Sequence, residues 1–139
     1  MAPTLARSRV PALALAGWTL LTWTTRVPLF LTDDALGAGE KVAATLPVLV
    51  FVVLALVTGV AVLARHDRAP LAAAVLAGWS LAYWLVRLPL ILVNEHPAAF
   101  YVAHAVLAVV AGALSVWTLV RLAGEGVLPR PGGLRPSGR

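Results

Sequence analysis

The sequence predicts an all-α integral membrane protein, a bundle of four transmembrane helices built from two tandem hairpins. Three observations lead there. The 139-residue chain is 60% hydrophobic and 12% charged, with a mean hydropathy of +0.89, against about 45–50% and about 25% in ordinary soluble domains. Small soluble domains bury only about 60–70% of the surface their unfolded chains expose, too little to hide so much apolar surface, and disorder requires low hydrophobicity. The apolar residues also fall into four separate long stretches, and the first hairpin recurs in the second.

The four stretches run Pro11–Leu31, Val42–Ala64, Leu71–Val93 and Ala99–Leu122. Each matches the roughly 20 residues a helix needs to cross a hydrocarbon core about 30 Å thick. Lipid offers no hydrogen bonds, so each stretch must satisfy its own backbone as a helix. Arg7 and Arg9, followed by Ala12, Ala14 and Ala16, imitate a signal peptide. The alanines come too early for cleavage after an apolar region of about 7–15 residues, and the first stretch is expected to remain as a span. The connectors Thr32–Lys41, Arg65–Pro70 and Asn94–Pro97 are short, which forces successive helices to run antiparallel.

Charge placement predicts the orientation. Arg7, Arg9, Arg65, Arg68, Arg121, Arg130 and Arg135 fall on one side, and Lys41 with Asp33, Asp34, Glu40 and Glu95 on the other. The arginine-rich side is expected to be cytoplasmic, placing both termini there. The organisation is then a single membrane domain over residues 1–122, with repeats 11–64 and 71–122, and a flexible cytoplasmic tail over 123–139, rich in Gly, Pro and Arg. The bias toward Ala, Leu, Val, Arg, Gly and Pro points to a high-GC bacterial genome and a bacterial cytoplasmic (inner) membrane.

The net charge of +5 reads as membrane-topology charge with attraction to anionic headgroups. No basic run alternates with aromatics, so no nucleic-acid partner is expected. Without cysteine, disulfide, thiol and iron–sulfur chemistry is excluded.

The repeat is the most informative feature. Ala16–Asp34 reads AGWTLLTWTTRVPLFLTDD and Ala77–Glu95 reads AGWSLAYWLVRLPLILVNE, with nine of nineteen positions identical at an offset of 61. The identities include Trp18/Trp79, Trp23/Trp84, Arg26/Arg87 and Pro28/Pro89. Each copy contributes two helices, so the copies insert the same way up, which predicts a parallel pseudo-two-fold axis along the membrane normal. Ala12, Ala16, Thr19, Trp23, Arg26 and Phe30 share one helical face, as do Ala73, Ala77, Ser80, Trp84, Arg87 and Ile91. The small and hydroxyl residues of these faces suit close helix packing.

The W-x-x-R-x-P elements, Trp23/Arg26/Pro28 and Trp84/Arg87/Pro89, carry the candidate site. Trp and Arg at i,i+3 share a face, so the guanidinium can lie over the indole. Each proline removes one helical hydrogen bond, freeing the carbonyls of Thr24 and Leu85, and is expected to kink its helix. Each arginine sits about five residues inside the outer end, roughly 8 Å deep at about 1.5 Å per residue. One reading is anchoring, by snorkelling to headgroups or pairing with Asp33, Asp34 or Glu95. The other is a ligand site of Arg26, Arg87, Trp23 and Trp84, because two guanidiniums near one axis demand an anion. Trp23 and Trp84 lie too near mid-helix for an interfacial belt, whereas Phe100, Tyr101 and Trp117 suit one.

Asp33, Asp34, Glu95 and His104 form an outer polar rim in this reading, with a proton-linked pairing of His104 and Glu95 as an option. The spacing of the acids and histidines matches no metal motif, and no metal or cofactor is expected. No nucleophile–base pair, P-loop or GxGxxG occurs, so enzymatic activity is not expected.

The duplicated W-x-x-R-x-P hairpin, covering most of Pro11 to Leu122, resembles small four-helix membrane proteins of high-GC bacteria, and the resemblance brings no catalytic residue with it. Small multidrug exporters are of similar length but use a membrane-embedded Glu in helix one, and fluoride channels carry Gly- and Asn-containing motifs; both features are missing here. The expected function is therefore structural or accessory, within a homo-oligomer or beside a larger membrane-protein partner. The alternative is a carrier or binding site for a small anionic ligand or amphiphile. A lipid- or isoprenoid-modifying enzyme is a remote third reading and would require the outer acids and His104 to converge.

Overall fold

The computed structural model describes residues 7–126, and they form an all-helical bundle. The helices are α1 (Arg9–Thr24), α2 (Val27–Leu31), α3 (Ala38–Leu63), α4 (Ala69–Leu92) and α5 (Ala98–Gly124). Of these, α3, α4 and α5 are each long and apolar enough to cross a membrane. The first predicted span is instead divided between α1 and α2, and the other helices match the predicted stretches to within a few residues.

The division of the first span has a local cause. In α1 the Thr24 hydroxyl donates to the Leu20 carbonyl, and the Thr25 hydroxyl donates to Leu21 O at 2.9 Å and Thr22 O at 3.1 Å. Threonine back-bonding competes with the backbone for these acceptors and bends helices. Pro28 then withholds the donor that Thr24 O would accept, and the chain tightens into an Arg26 N–H to Trp23 O bond of 3.2 Å. In the second copy the threonines are replaced by Leu85 and Val86, and α4 continues through Pro89 to Leu92. The proline is common to both copies, and single back-bonding threonines at Thr45 and Thr118 leave α3 and α5 unbroken, so the feature peculiar to the first copy is the pair of adjacent hydroxyls acting together with Pro28. The double substitution Thr24→Leu with Thr25→Val is expected to join α1 and α2 into one helix. Backbone chemical shifts of residues 24–27 in detergent micelles would report it; unchanged non-helical shifts would remove the hydroxyls as the cause.

The helix ends show how the bundle closes. Glu40 places an acid in the first turn of α3, and its carboxylate accepts from Gly37 N–H at 2.8 Å, satisfying an orphan donor and complementing the helix dipole. The α3 end is closed by His66 N–H to Ala61 O at 2.9 Å and Arg65 N–H to Val62 O at 3.3 Å, with Arg65 left-handed at φ 53°, the Schellman arrangement usually given to glycine. At the start of α1 the cap comes from the far end of the chain. Glu125 accepts from the backbone N–H groups of Arg7 and Ser8 and from the Ser8 hydroxyl, the last at 2.6 Å. The described chain thus begins and ends at one end of the bundle. The predicted tail starts at residue 123, but α5 runs on to Gly124 and Glu125 belongs to this clasp; residues 127–139 lie outside the described residues.

Around the bundle, α1 packs on α3 and α5, α4 packs on the same two helices, and α1 also touches α4 across the centre. The buried residues of α1 include Ala12, Leu15, Ala16, Thr19 and Trp23, and those of α4 include Ala73, Leu76, Ala77, Ser80 and Trp84, each 61 positions on. Helix α3 buries Val48, Phe51, Ala55, Thr58 and Val62, and α5 buries Ala108, Ala111, Ser115, Thr118 and Leu122, each 60 positions on. Most leucines and valines on the remaining faces are exposed, as suits lipid contact. Helices in lipid associate through close packing and interhelical hydrogen bonds. Thr58 supplies one such bond, its hydroxyl donating to Ala72 O of α4 at 3.1 Å.

Candidate functional site

An aromatic cluster in the half of the bundle opposite the terminal clasp sets the geometry of the site. Trp23 of α1 stacks on Phe51 of α3 with ring centroids 4.4 Å apart, and meets Tyr83 edge-on at 5.2 Å and Trp84 at 6.5 Å, both of α4. Tyr83 also lies edge-on to Phe51 at 5.1 Å and to Trp84 at 5.6 Å. These are the stacked and T-shaped arrangements that ring quadrupoles favour. Trp23 and Trp84 are both buried, so they serve the interior rather than a membrane-edge belt.

Arg26 lies directly above this cluster, at the break between α1 and α2. Its Cζ is 5.9 Å from the Trp23 ring centroid, a cation–π distance. Its Nη1 is 3.4 Å from His104 Nε2 of α5. His104 Nδ1 is 2.8 Å from Phe100 O. A carbonyl can only accept, so Nδ1 carries the proton and Nε2 presents its lone pair to the guanidinium. The imidazole thereby becomes an acceptor that positions Arg26.

Above His104 the column continues. Phe100 lies over the His104 ring at 3.9 Å, and His96 stacks on Phe100 at 4.2 Å. His96, Phe100, His104, Arg26, Trp23 and Phe51 thus form one continuous column of contacts from the α4–α5 connector into the core, stacked except where His104 meets Arg26 through its ring nitrogen. Phe100 therefore packs within this stack, while Trp117 is exposed as a belt residue would be. Tyr101 plays another part. Its hydroxyl donates to Asn94 O at 2.6 Å and accepts from His96 N–H at 3.1 Å, tying the connector down.

The two arginines are not equivalent. Arg26 is half-buried, whereas Arg87 is exposed. Among the described residues only Arg26 closes over its tryptophan. Both arginines nonetheless border the aromatic cluster: Arg26 lies over Trp23, whose ring meets Tyr83 and Trp84, and Arg87 follows those two residues by one turn of α4. Among the described residues no carboxylate is hydrogen-bonded to Arg26 or His104.

The acids singled out in the sequence are used elsewhere. Asp33, Asp34 and Glu95 are exposed. Asp33 Oδ1 accepts from Ala35 N–H at 3.0 Å, a local Asx turn. The ring nitrogens of His104 face Phe100 and Arg26, so Glu95 is not its partner. Among the described residues no group of three His, Cys, Asp or Glu side chains is placed to hold a metal ion.

A separate groove of about 250 Å³ opens between α2 and α3, lined by Leu31, Lys41, Val42, Thr45, Leu46 and Leu49. It is almost wholly apolar, and neither arginine lines it. Lys41 Nζ donates to Leu31 O at 3.2 Å, closing the end of α2.

Sequence reasoning found Trp23, Trp84, Arg26 and Arg87 through the repeat. It missed Phe51 and Tyr83 because neither is repeated: 60 positions beyond Phe51 stands Ala111, and 61 before Tyr83 stands Thr22. It also missed the His104–Arg26 contact, which joins residues 78 apart. No protein-family model matches the chain, and no curated protein or solved structure matches it.

Proposed function

We propose that this chain is a small structural or accessory component of a bacterial cytoplasmic membrane, a four-span bundle of two tandem hairpins that packs within a homo-oligomer or beside a larger membrane protein. One observation carries this reading. Ala12/Ala73, Ala16/Ala77, Thr19/Ser80 and Trp23/Trp84 are all buried between helices, so the stripe of small, hydroxyl and tryptophan residues shared by both copies serves helix packing. The ring of neighbours supports a parallel pseudo-two-fold axis, since exchanging α1 with α4 and α3 with α5 leaves it unchanged. In this reading α1 and α2 together form the first span. The clasp between Ser8 and Glu125 supports termini on the same side, and the arginine distribution favours the cytoplasm.

Two measurements test the proposal. Extraction of the tagged chain from its native membrane into lipid nanodiscs should yield either a defined homo-oligomer or one stoichiometric protein partner; a monomer with neither would overturn the accessory role. Orientation is open to direct labelling because the chain has no cysteine. Single substitutions Ala35→Cys and Glu95→Cys should react with a membrane-impermeant maleimide on intact spheroplasts, and Asp67→Cys only after lysis. The reverse pattern would invert the topology.

A second reading is favoured by the cluster of Arg26, Arg87, Tyr83 and His104. Cations inside a membrane are costly and mark ligand or ion positions. Their grouping without a carboxylate favours a bound anion or amphiphile.

A further inference from the structure

Resting on that second reading, the chemistry of the cationic cluster specifies its ligand more closely than a generic anion. A guanidinium offers five N–H donors in a planar fork. Among the described residues Arg26 spends this capacity on a single acceptor, His104 Nε2, with one face against Trp23. Arg87 is exposed and has no protein acceptor among the described residues. Half-buried Tyr83 meets the Trp23 ring that Arg26 covers and stands one turn before Arg87 on α4, and its hydroxyl has no hydrogen bond among the described residues either. Guanidinium and phenol donors are therefore gathered beside one aromatic cluster from α4 and the α1–α2 break, with two formal positive charges and no carboxylate hydrogen-bonded to them among the described residues.

The donors suit an oxyanion with several acceptor oxygens, as phosphate has. Their position favours a lipid source. Arg87 is exposed on a helix whose neighbouring residues Leu85, Val86 and Leu90 are exposed hydrophobics, so the cluster opens sideways to the acyl region rather than into an enclosed cavity. A headgroup phosphate reaches such a rim while its chains lie along α4.

We propose that Arg26, Arg87 and the Tyr83 hydroxyl hold the phosphate of one anionic phospholipid at this end of the bundle, with His104 as the positioning residue for Arg26. The Trp23 ring keeps the guanidinium over the core, and the His104 lone pair orients its plane so that the remaining N–H groups face outward.

Native mass spectrometry of the full chain, released from detergent with added phosphatidylglycerol, tests this. One phosphatidylglycerol should be retained per chain in preference to phosphatidylcholine. Arg26→Gln and Arg87→Gln should each weaken retention about tenfold, the scale of a charge-assisted hydrogen bond, and the double variant should abolish the preference. Tyr83→Phe should weaken it several-fold, while Arg121→Gln at the opposite end should leave it unchanged. His104→Ala should weaken it, and His104→Gln, which restores an acceptor, should recover much of the loss; a purely structural role would not show that rescue. Because Arg87 is exposed, Arg87→Gln keeps the test interpretable even if Arg26→Gln fails to fold.

Retention unaffected by Arg87→Gln would overturn the lipid site. If inorganic phosphate at millimolar concentration displaces the lipid from the wild-type chain, the ligand is a soluble oxyanion; the lipid assignment then fails while the anion reading stands. If neither phosphatidylglycerol nor inorganic phosphate binds in an arginine-dependent way, both fail.

Discussion

Replacing Trp23 with alanine is expected to cause the largest stability loss of any single substitution in the chain, about 3–5 kcal/mol by analogy with buried aromatic truncations. Trp23 is only 5% exposed. It is the one ring that contacts Phe51 of α3, Tyr83 and Trp84 of α4 and the guanidinium of Arg26. Removing it leaves a cavity where three helices meet, and in lipid no hydrophobic driving force between helices compensates for lost packing. Trp84→Ala should cost somewhat less, because its ring meets only the rings of Trp23 and Tyr83 among the described residues. Trp117→Ala, at an exposed position, should change stability by no more than about 0.5 kcal/mol. Far-UV circular dichroism during titration with sodium dodecyl sulfate would rank the three. Equal midpoints for Trp23→Ala and Trp117→Ala would remove the aromatic cluster from the account of stability.

The second large effect belongs to the terminal clasp. Glu125→Ala is expected to cost about 1–3 kcal/mol, the range for losing a helix cap together with charge-assisted hydrogen bonds. The carboxylate serves two N–H groups at the start of α1 and the hydroxyl of Ser8, which is fully buried. Its loss strands those donors and loosens the junction of α1 with the end of α5. Glu125→Gln should cost less, since an amide oxygen still accepts while the charge that complements the helix dipole is gone. A double-mutant cycle with Ser8→Ala would separate the side-chain bond from the two backbone bonds. Strict additivity of the two losses would mean the clasp does not couple them.

Much of the architecture was legible in the chain because lipid imposes simple rules. Apolar length sets where helices run, and α3, α4 and α5 lie close to the predicted stretches. The spacing of Ala12, Ala16, Thr19 and Trp23, repeated in Ala73, Ala77, Ser80 and Trp84, marked a face that is in fact buried. The first span was read less well. Pro28 and Pro89 promised two similar disruptions, but Thr24 and Thr25 turn only the first into a break, because hydroxyl back-bonding and a missing proline donor act together there.

The site divides along the same line. Composition, apolar periodicity and the duplicated W-x-x-R-x-P element predict an all-helical chain with long apolar spans and an arginine near the same end of α1 and α4; these properties depend on local spacing and on the solvent the chain must satisfy. Three further facts required side chains distant in sequence to meet. Arg26 is half-buried while its twin Arg87 is exposed, His104 turns its lone pair to Arg26 rather than to Glu95, and Glu125 closes the start of α1. The repeated stretches match at nine of nineteen positions, but the residues at the centre of the aromatic cluster have unlike counterparts, Ala111 for Phe51 and Thr22 for Tyr83. Arg26 sits at the break between α1 and α2 and Arg87 inside continuous α4, a difference set by the tertiary environment that no spacing rule within one helix encodes.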